Sequence, residues 1–406
     1  MSVETLLWEE DATGLAVRVR TGDVTPAELV EAAISRLEAV NPEINAVAEK
    51  LYDQARQRAA EVDRNAPLAG VPFAIKDLGI AVRDVPTHGG SRVPPAVPDF
   101  DSVLTERYRA AGLVPVATST TPEYGLRLMT ESARFGVTRS PWNTGHTTGG
   151  SSGGASALVS AGVVPVAHAS DGGGSIRVPA ACTGLVGLKT SRGRVPLSPV
   201  ASESWYGFVV EHAVTRTVRD SALLLDLTHG PDPLAPYAAR PPRESFAAAA
   251  AREPGKLKIG VYRGSPLGMD ISADTLAALD AAVALAKEGG HDVEEIDLPM
   301  VDRAFMADFA RCVASAILVH LAGQGRAWLA LTWSRPACVS STRTFPSRHL
   351  RTMRPWTSMI RRRRERFTSA MPVSETMVAI AVGASFPESE ASTCWTEGLP
   401  EISPSG

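Results

Sequence analysis

Three stretches of this 406-residue chain combine residue types capable of covalent chemistry with backbone that can bring a substrate close to them. Gly149-Gly150-Ser151-Ser152-Gly153-Gly154 holds two hydroxyls in a glycine frame and contains the G-x-S-x-G pattern of a nucleophile elbow. An elbow needs a strand immediately before its serine, whereas Ser140–Thr148 is turn chemistry. The Lys-Ser/Thr ending of a phosphate-binding loop is also missing, so on its own the stretch reads as a flexible Gly/Ser connection. In Asp171-Gly172-Gly173-Gly174-Ser175, successive glycines allow backbone N–H groups to turn into one concavity that suits an anion or a developing oxyanion, although a lone glycine triplet is usually a tight turn. Lys76 follows a short apolar run. Most lysines are solvated, but one held among buried neighbours loses its proton readily.

The elements expected to position these groups alternate between strand and helix. Thr25-Pro26-Ala27-Glu28 is a capping-box start, and Leu29, Val30, Ala33, Ile34 and Leu37 recur at helical spacing, so a helix is expected over 26–40, ended by Asn41-Pro42. Val71–Ile75 reads as a buried strand delivering Lys76-Asp77, 102–112 as a helix, and Val114–Ala117 as a strand. The Gly/Ser stretch leads into a small-residue helix from Ala155 to about Ala161. Val163–Ala167 reads as a strand ending in the loop Ser170–Ser175. Further on, helices are expected over Ser221–Leu227 and Ser272–Lys287, and strands over Lys256–Tyr262 and His291–Leu298. This alternation indicates an α/β fold.

Composition narrows the function classes. With 41 Lys+Arg against 44 Asp+Glu, the formal charge of −3 argues against a nucleic-acid-binding surface. The acidic N-terminus lacks the positive end of a secretory signal, and no apolar run reaches the ~18–20 residues needed to span a bilayer, so a cytoplasmic location without a membrane partner is expected. Cys182, Cys312, Cys338 and Cys394 are far apart and form no C-x-x-C pair, and the eight histidines show no metal-ligand spacing. Cys182 reads as a small buried hydrophobe. His168 reads as a satisfied core histidine, with a pocket-lining role as the second reading. Arg177 is expected to brace the glycine loop by pairing with Asp171.

Taken together, these stretches resemble the amidase signature family of serine hydrolases. The resemblance runs from about Leu7 to His320. Its core is Gly149–Lys189, supported by Ala69–Asp77, Thr121–Gly125, Pro141-Trp142-Asn143, Arg192–Val195, Arg216–Asp220 and Gly290–Val293. Leu7-Trp8, Asp11-Ala12-Thr13 and Val166-Ala167-His168 look most like the cyclic-amide oligomer hydrolases within it. The resemblance implies an amidase-signature fold, a mixed central sheet covered by helices, over residues 1–323. It also implies a catalytic triad of Ser175 as nucleophile, Ser151 as bridging serine on a cis peptide bond, and Lys76 as base. Gly172, Gly173 and Gly174, with Ser175, would supply the oxyanion-hole N–H groups, each such donor typically contributing about 3–4 kcal/mol. The implied substrate is a small-molecule amide, with neither metal nor organic cofactor, and the state of assembly, including a homo-oligomer, stays open.

Two rival readings accompany this one: the glutaminase subunit of a tRNA-dependent amidotransferase, and a catalytically impaired remnant on the same scaffold. The chain departs from the family pattern in having Gly172 where many members have Thr, which is expected to loosen the oxyanion loop. Thr118 and Thr120 also replace a common Lys and Asn.

Residues 324–406 follow a different compositional rule. They hold eleven Arg and six Glu but no Lys, Asp, Asn or Tyr, and four of the seven Trp. Arg361–Arg364 is a like-charge run beside Arg366, and no hydrophobic period is sustained. A basic interaction tail is one reading; the other, which the abrupt end of the motifs favours, is an out-of-frame translation of a GC-rich gene. Translation of the gene in its other two frames beyond codon 323 is expected to reveal a Gly-x-Pro-Ala-type family segment. Absence of such a segment from both frames overturns the frame-shift reading.

Overall fold

The two apolar segments around Phe73 and Val116 are too short to stand alone, and they pair in parallel near the centre of one sheet. The computed structural model describes residues 2–232, 234–265, 267–297 and 302–323. The central sheet contains β1 (Val47–Lys50), β2 (Pro72–Lys76), β3 (Val114–Ser119), β4 (Val166–Asp171), β5 (Val186–Gly187) and β6 (Val210–Thr215). Their spatial order is β1-β3-β2-β4-β6-β5. Strand β2 runs parallel to β3 and β4, whereas β1, β6 and β5 join antiparallel, so the sheet is mixed, as the resemblance implied. A separate parallel pair, β7 (Lys258–Val261) and β8 (Asp292–Glu295), lies further along the chain.

The parallel strands are buried along their whole length and are built mostly of small or β-branched residues, with Phe73, Lys76, His168 and Asp171 as the exceptions. The helix Gly153–Ser160 is buried at every position, and its small side chains let it lie close against its neighbours. Gly154 shows why: a Cβ there would come within 2.5 Å of the Thr120 backbone nitrogen. Lys76 and Asp171 both stand at the carboxyl ends of parallel strands, where open α/β sheets place their ligand sites.

Several elements differ from the sequence expectation. The first long helix starts at Pro26 with its capping box formed, but it runs through Pro42 to Ile44. Asn45, in the left-handed conformation with φ 51°, closes the last turn by donating to the Asn41 carbonyl, so the stop lies beyond the proline. Strand β4 begins at Val166 and extends to Asp171, because β6 pairs with it along all six residues. That pairing accommodates the polar residue His168, at the expected strand end, and Ser170 and Asp171, which had looked like loop. Strand β6 itself, with Glu211 and His212 inside an apolar run, escaped the pattern reading altogether. The contact pattern divides the chain at Leu318/Val319, and the 324–406 tail lies outside the described residues. No described helix is long and apolar enough to cross a membrane.

The family-like segments at the two ends of the core meet and cap each other. Asp11 caps its own helix, Ala12–Thr21, at the Gly14 N–H and forms a two-point ion pair with Arg219. Asp220 reciprocates: its carboxylate accepts from the backbone N–H groups of Ala12 (2.8 Å) and Thr13 (2.9 Å) and from the Thr13 hydroxyl. Arg216 adds bonds to the carbonyls of Leu7, Trp8 and Glu10. Asp220 is 1% exposed, so its removal strands buried donors. Asp220→Ala is therefore expected to destabilise the fold by about 2 kcal/mol, read as a lower urea midpoint. An unchanged midpoint contradicts this account of the N-terminal anchor.

Candidate active site

Strand β2 ends by carrying Lys76 into the interior, where the side chain is 1% exposed. Its ammonium-bearing end has two partners: Nζ lies 2.8 Å from Ser151 Oγ and 2.9 Å from Ser170 Oγ. Burial pulls the pKa of Lys76 down from 10.5 to about 8, against the opposing pull of the Glu211 and Asp171 charges. A neutral amine is therefore accessible near neutral pH, as a general base requires.

Ser151 is fixed by its loop. Gly149 has φ +72°, and the Gly150–Ser151 peptide is cis. Around it, the Thr130 hydroxyl donates to the Gly149 carbonyl (2.9 Å) and the Thr121 hydroxyl to the Ser151 carbonyl (2.9 Å). The first turn of the following helix is tied in as well, because the Gly153 N–H donates to Thr130 Oγ1 (3.1 Å). The glycines here are a requirement of space: a Cβ on Gly150 would sit 2.8 Å from the Met129 backbone nitrogen.

Ser175 follows the glycine triplet, and its carbonyl accepts from the Ser152 N–H (3.2 Å), which joins the two serine segments. Among the described residues no hydrogen bond links Ser151 Oγ to Ser175 Oγ, and relay bonds of this kind are commonly long before substrate arrives. The loop is braced from below by Asp171 and Arg177, as expected. The guanidinium makes two bonds of 2.9 Å to the carboxylate, which also accepts from the Gly174 (2.8 Å) and Ile176 (3.2 Å) N–H groups. Burial is the largest single influence on the Asp171 carboxyl and would raise it, but the bond and charge of Arg177 and the Ile176 and Gly174 N–H groups together outweigh burial and hold the group below its ordinary value.

That brace corrects one expectation. The Gly174 N–H is committed to Asp171, so the candidate oxyanion donors are the N–H groups of Gly172, Gly173 and Ser175. A second correction concerns Gly172. A Cβ there would meet the Trp205 ring at 2.8 Å and Val209 at 3.0 Å, so Trp205 fills the space that a threonine would take. The loop is packed at this point rather than loosened. Phe309 lies against Gly173 in the same way, and its ring meets Phe208 edge-on at 5.3 Å.

His168 is fully buried and satisfied, as the first of its two readings held. Its Nδ1 accepts from the Lys76 backbone N–H (3.2 Å) and its Nε2 faces Glu211 Oε2 (2.9 Å). Cys182 is half-buried beside Gly149. Among the described residues no group of three His, Cys, Asp or Glu is placed to hold a metal ion. Three participants were missed in the sequence: Ser170, Glu211 and the aromatic cover of Trp205 and Phe309. Only Glu211 left a signal, as a charge inside the apolar run Val209–Val214.

Comparison with known proteins agrees with the family resemblance and the fold. The family model for amidases matches residues 28–371, past the point near His320 where recognisable motifs end. The 6-aminohexanoate-cyclic-dimer hydrolase of Paenarthrobacter ureafaciens is 40% identical over 332 residues, a match covering 79% of this chain and 66% of that protein. This chain thus spans about two thirds of the length of the curated relatives it matches. A solved structure of 6-aminohexanoate cyclic dimer hydrolase superposes with a TM-score of 0.75 at 37% identity, covering 79% of this chain and 67% of the other. A bacterial aryl acylamidase of the amidase signature family gives 0.71 at 32% identity, covering 78% and 67%.

The buried amine sets the pH behaviour. Below about 8 the ammonium form of Lys76 dominates and cannot accept a proton, so the rate of any reaction it activates is expected to climb with pH and level off near that value. A pH–rate profile with no acidic limb removes Lys76 from the role of base.

Proposed function

This chain belongs to the amidase family, and on that premise we propose that it hydrolyses carboxamides through an acyl-enzyme formed on Ser175. The observation that carries this reading is the 2.8 Å contact of a fully buried Lys76 Nζ with Ser151 Oγ, beside the glycine loop that ends in Ser175. In acylation, Ser175 Oγ bonds to the amide carbon while its proton passes through the Ser151 hydroxyl to the Lys76 amine. The N–H groups of Gly172, Gly173 and Ser175 support the tetrahedral oxyanion. The C–N bond then breaks as the proton returns through Ser151 to the leaving nitrogen. Water repeats the sequence on the ester, releasing the carboxylate and restoring Ser175.

The relatives' names point to small-molecule amides, including cyclic amides of ω-amino acids, as the substrate class. The Trp205 and Phe309 rings against the nucleophile loop suit an apolar acyl chain. Those names describe amide hydrolases, so the glutaminase-subunit expectation is not carried further. A cytoplasmic setting is part of the same proposal, supported by the free thiols of Cys182 and Cys312.

A fluorophosphonate probe is expected to label the full chain at Ser175, and Ser175→Ala to abolish both labelling and amide hydrolysis, by about 10³-fold or more. Ser151→Ala is expected to lose less, because water can replace the relay hydroxyl. Retention of most activity in a clean Ser175→Ala preparation sinks the assignment.

A further inference from the structure

The sheet places a buried carboxylate in line with the base. Ser170 and His168 share one face of β4, and Glu211, directly opposite Ser170 on β6, lies on that same face. Lys76 approaches from β2 on the other side, touching Ser170 with its amine and His168 with its backbone N–H. A row of polar groups therefore crosses three neighbouring strands, from Lys76 through His168 and Ser170 to Glu211. Every member is buried; Glu211 is 2% exposed. Room for the carboxylate is made by Gly79, in the turn after Lys76-Asp77, where a Cβ would come within 2.9 Å of Glu211 Oε1.

We propose that Glu211, held by His168, is a positioning residue for the Lys76 base, its carboxylate being the counter-charge that fixes how readily Lys76 releases and retakes its proton. The inference rests on the hydrolytic reading above and deepens it. A backbone N–H only donates, so His168 Nδ1 must accept and the ring proton sits on Nε2, directed at Glu211 Oε2. His168 thus orients both the Lys76 backbone and the carboxylate. When the proton of Ser175 reaches Lys76 through Ser151, a cation forms in a site closed to water. An anion fixed nearby stabilises that cation, and Glu211 itself takes no proton in the step.

The surroundings leave few competing charges. Asp171 also faces Lys76, but its carboxylate is occupied by Arg177. Asp77, next along the chain, is turned to the N–H groups of His88 and Gly90, and burial raises its pKa to about 6. Glu211 is faced by His168, by Lys76 and by the buried phenol of Tyr108; burial raises its carboxyl above the ordinary value, and the His168 bond with the His168 and Lys76 charges pulls it back toward the ionised form. His212, the neighbour of Glu211 on β6, bonds Ser221 and is kept uncharged by burial, which lowers its pKa to about 4.

The test is the pH dependence of fluorophosphonate labelling at Ser175, measured on the full chain and on two variants. Glu211→Gln keeps an acceptor for the His168 Nε2–H but removes the charge. Its acidic limb is expected to move to lower pH by about one unit while the plateau rate falls. Glu211→Asp keeps the charge, and its midpoint is expected to stay with the wild type at a reduced plateau. A Glu211→Gln midpoint identical to wild type, or an Asp variant shifted as far as the Gln variant, overturns the inference, because a purely structural role lowers the plateau without moving the midpoint. If neither variant folds, imidazole nitrogen NMR of the wild-type chain decides. A proton on Nε2 alone across the limb supports the arrangement, and a proton on Nδ1 overturns it. A wild-type chain that labels at no pH removes the hydrolytic reading, and this inference with it.

Discussion

A lysine amine held away from water among hydroxyls is the constraint from which the rest of this structure follows. Burying the charged form of Lys76 carries a large desolvation cost, and the protein meets it in two ways. It lets the amine approach neutrality, and it surrounds Nζ with Ser151 and Ser170, which both donate and accept. Hydroxyl partners suit either protonation state, whereas a direct carboxylate contact would lock the ammonium form. Among the described residues, the carboxylates that act on the amine are engaged by other partners, Glu211 by His168 and Asp171 by Arg177.

That arrangement explains why the site spans three strands. Each strand holds its groups at a fixed depth: Lys76 on β2, Ser170 and Asp171 on β4, Glu211 on β6. Sheet hydrogen bonds fix their spacing more firmly than a loop would. The Ser151 and Ser175 hydroxyls sit instead on two glycine-rich turns, and those are tied down from outside. Thr121 and Thr130 hold the Ser151 turn, and the Asp171–Arg177 pair holds the Ser175 turn. The Asp171 carboxylate of that pair also takes the Gly174 N–H, which removes it from the candidate oxyanion donors.

The aromatic cover shows a compensation between distant segments. A side chain at Gly172 would normally help fill the nucleophile loop, and here Trp205 and Val209 fill it instead. Trp205 and Tyr206 adopt left-handed backbone conformations, φ 48° and 54°, which aim the turn at the loop, and the Tyr206 hydroxyl meets Ser315 at 3.2 Å. The oxyanion loop is thereby shaped by residues roughly thirty and more than one hundred positions away.

The amino-acid sequence alone pointed to the candidate chemistry-bearing groups, because catalysis demands particular side chains in contiguous, glycine-rich frames that few other roles require. Lys76, Ser151, Ser175 and the Asp171–Arg177 brace were all legible in this way. So was the capped helix start at Pro26, since a cap is a bond between near neighbours. Strand β6 and its Glu211, the extension of β4 through His168 and Ser170, and the role of Trp205 were not. Each depends on which segment lies alongside: a polar residue within a strand is unfavourable until a partner from elsewhere satisfies it, and that partner is 43 positions away for the His168–Glu211 pair. Local sequence therefore specified the candidate groups, and tertiary structure decided their proton affinities and which backbone N–H groups stayed free, because both depend on burial and on hydrogen bonds between segments remote in the chain.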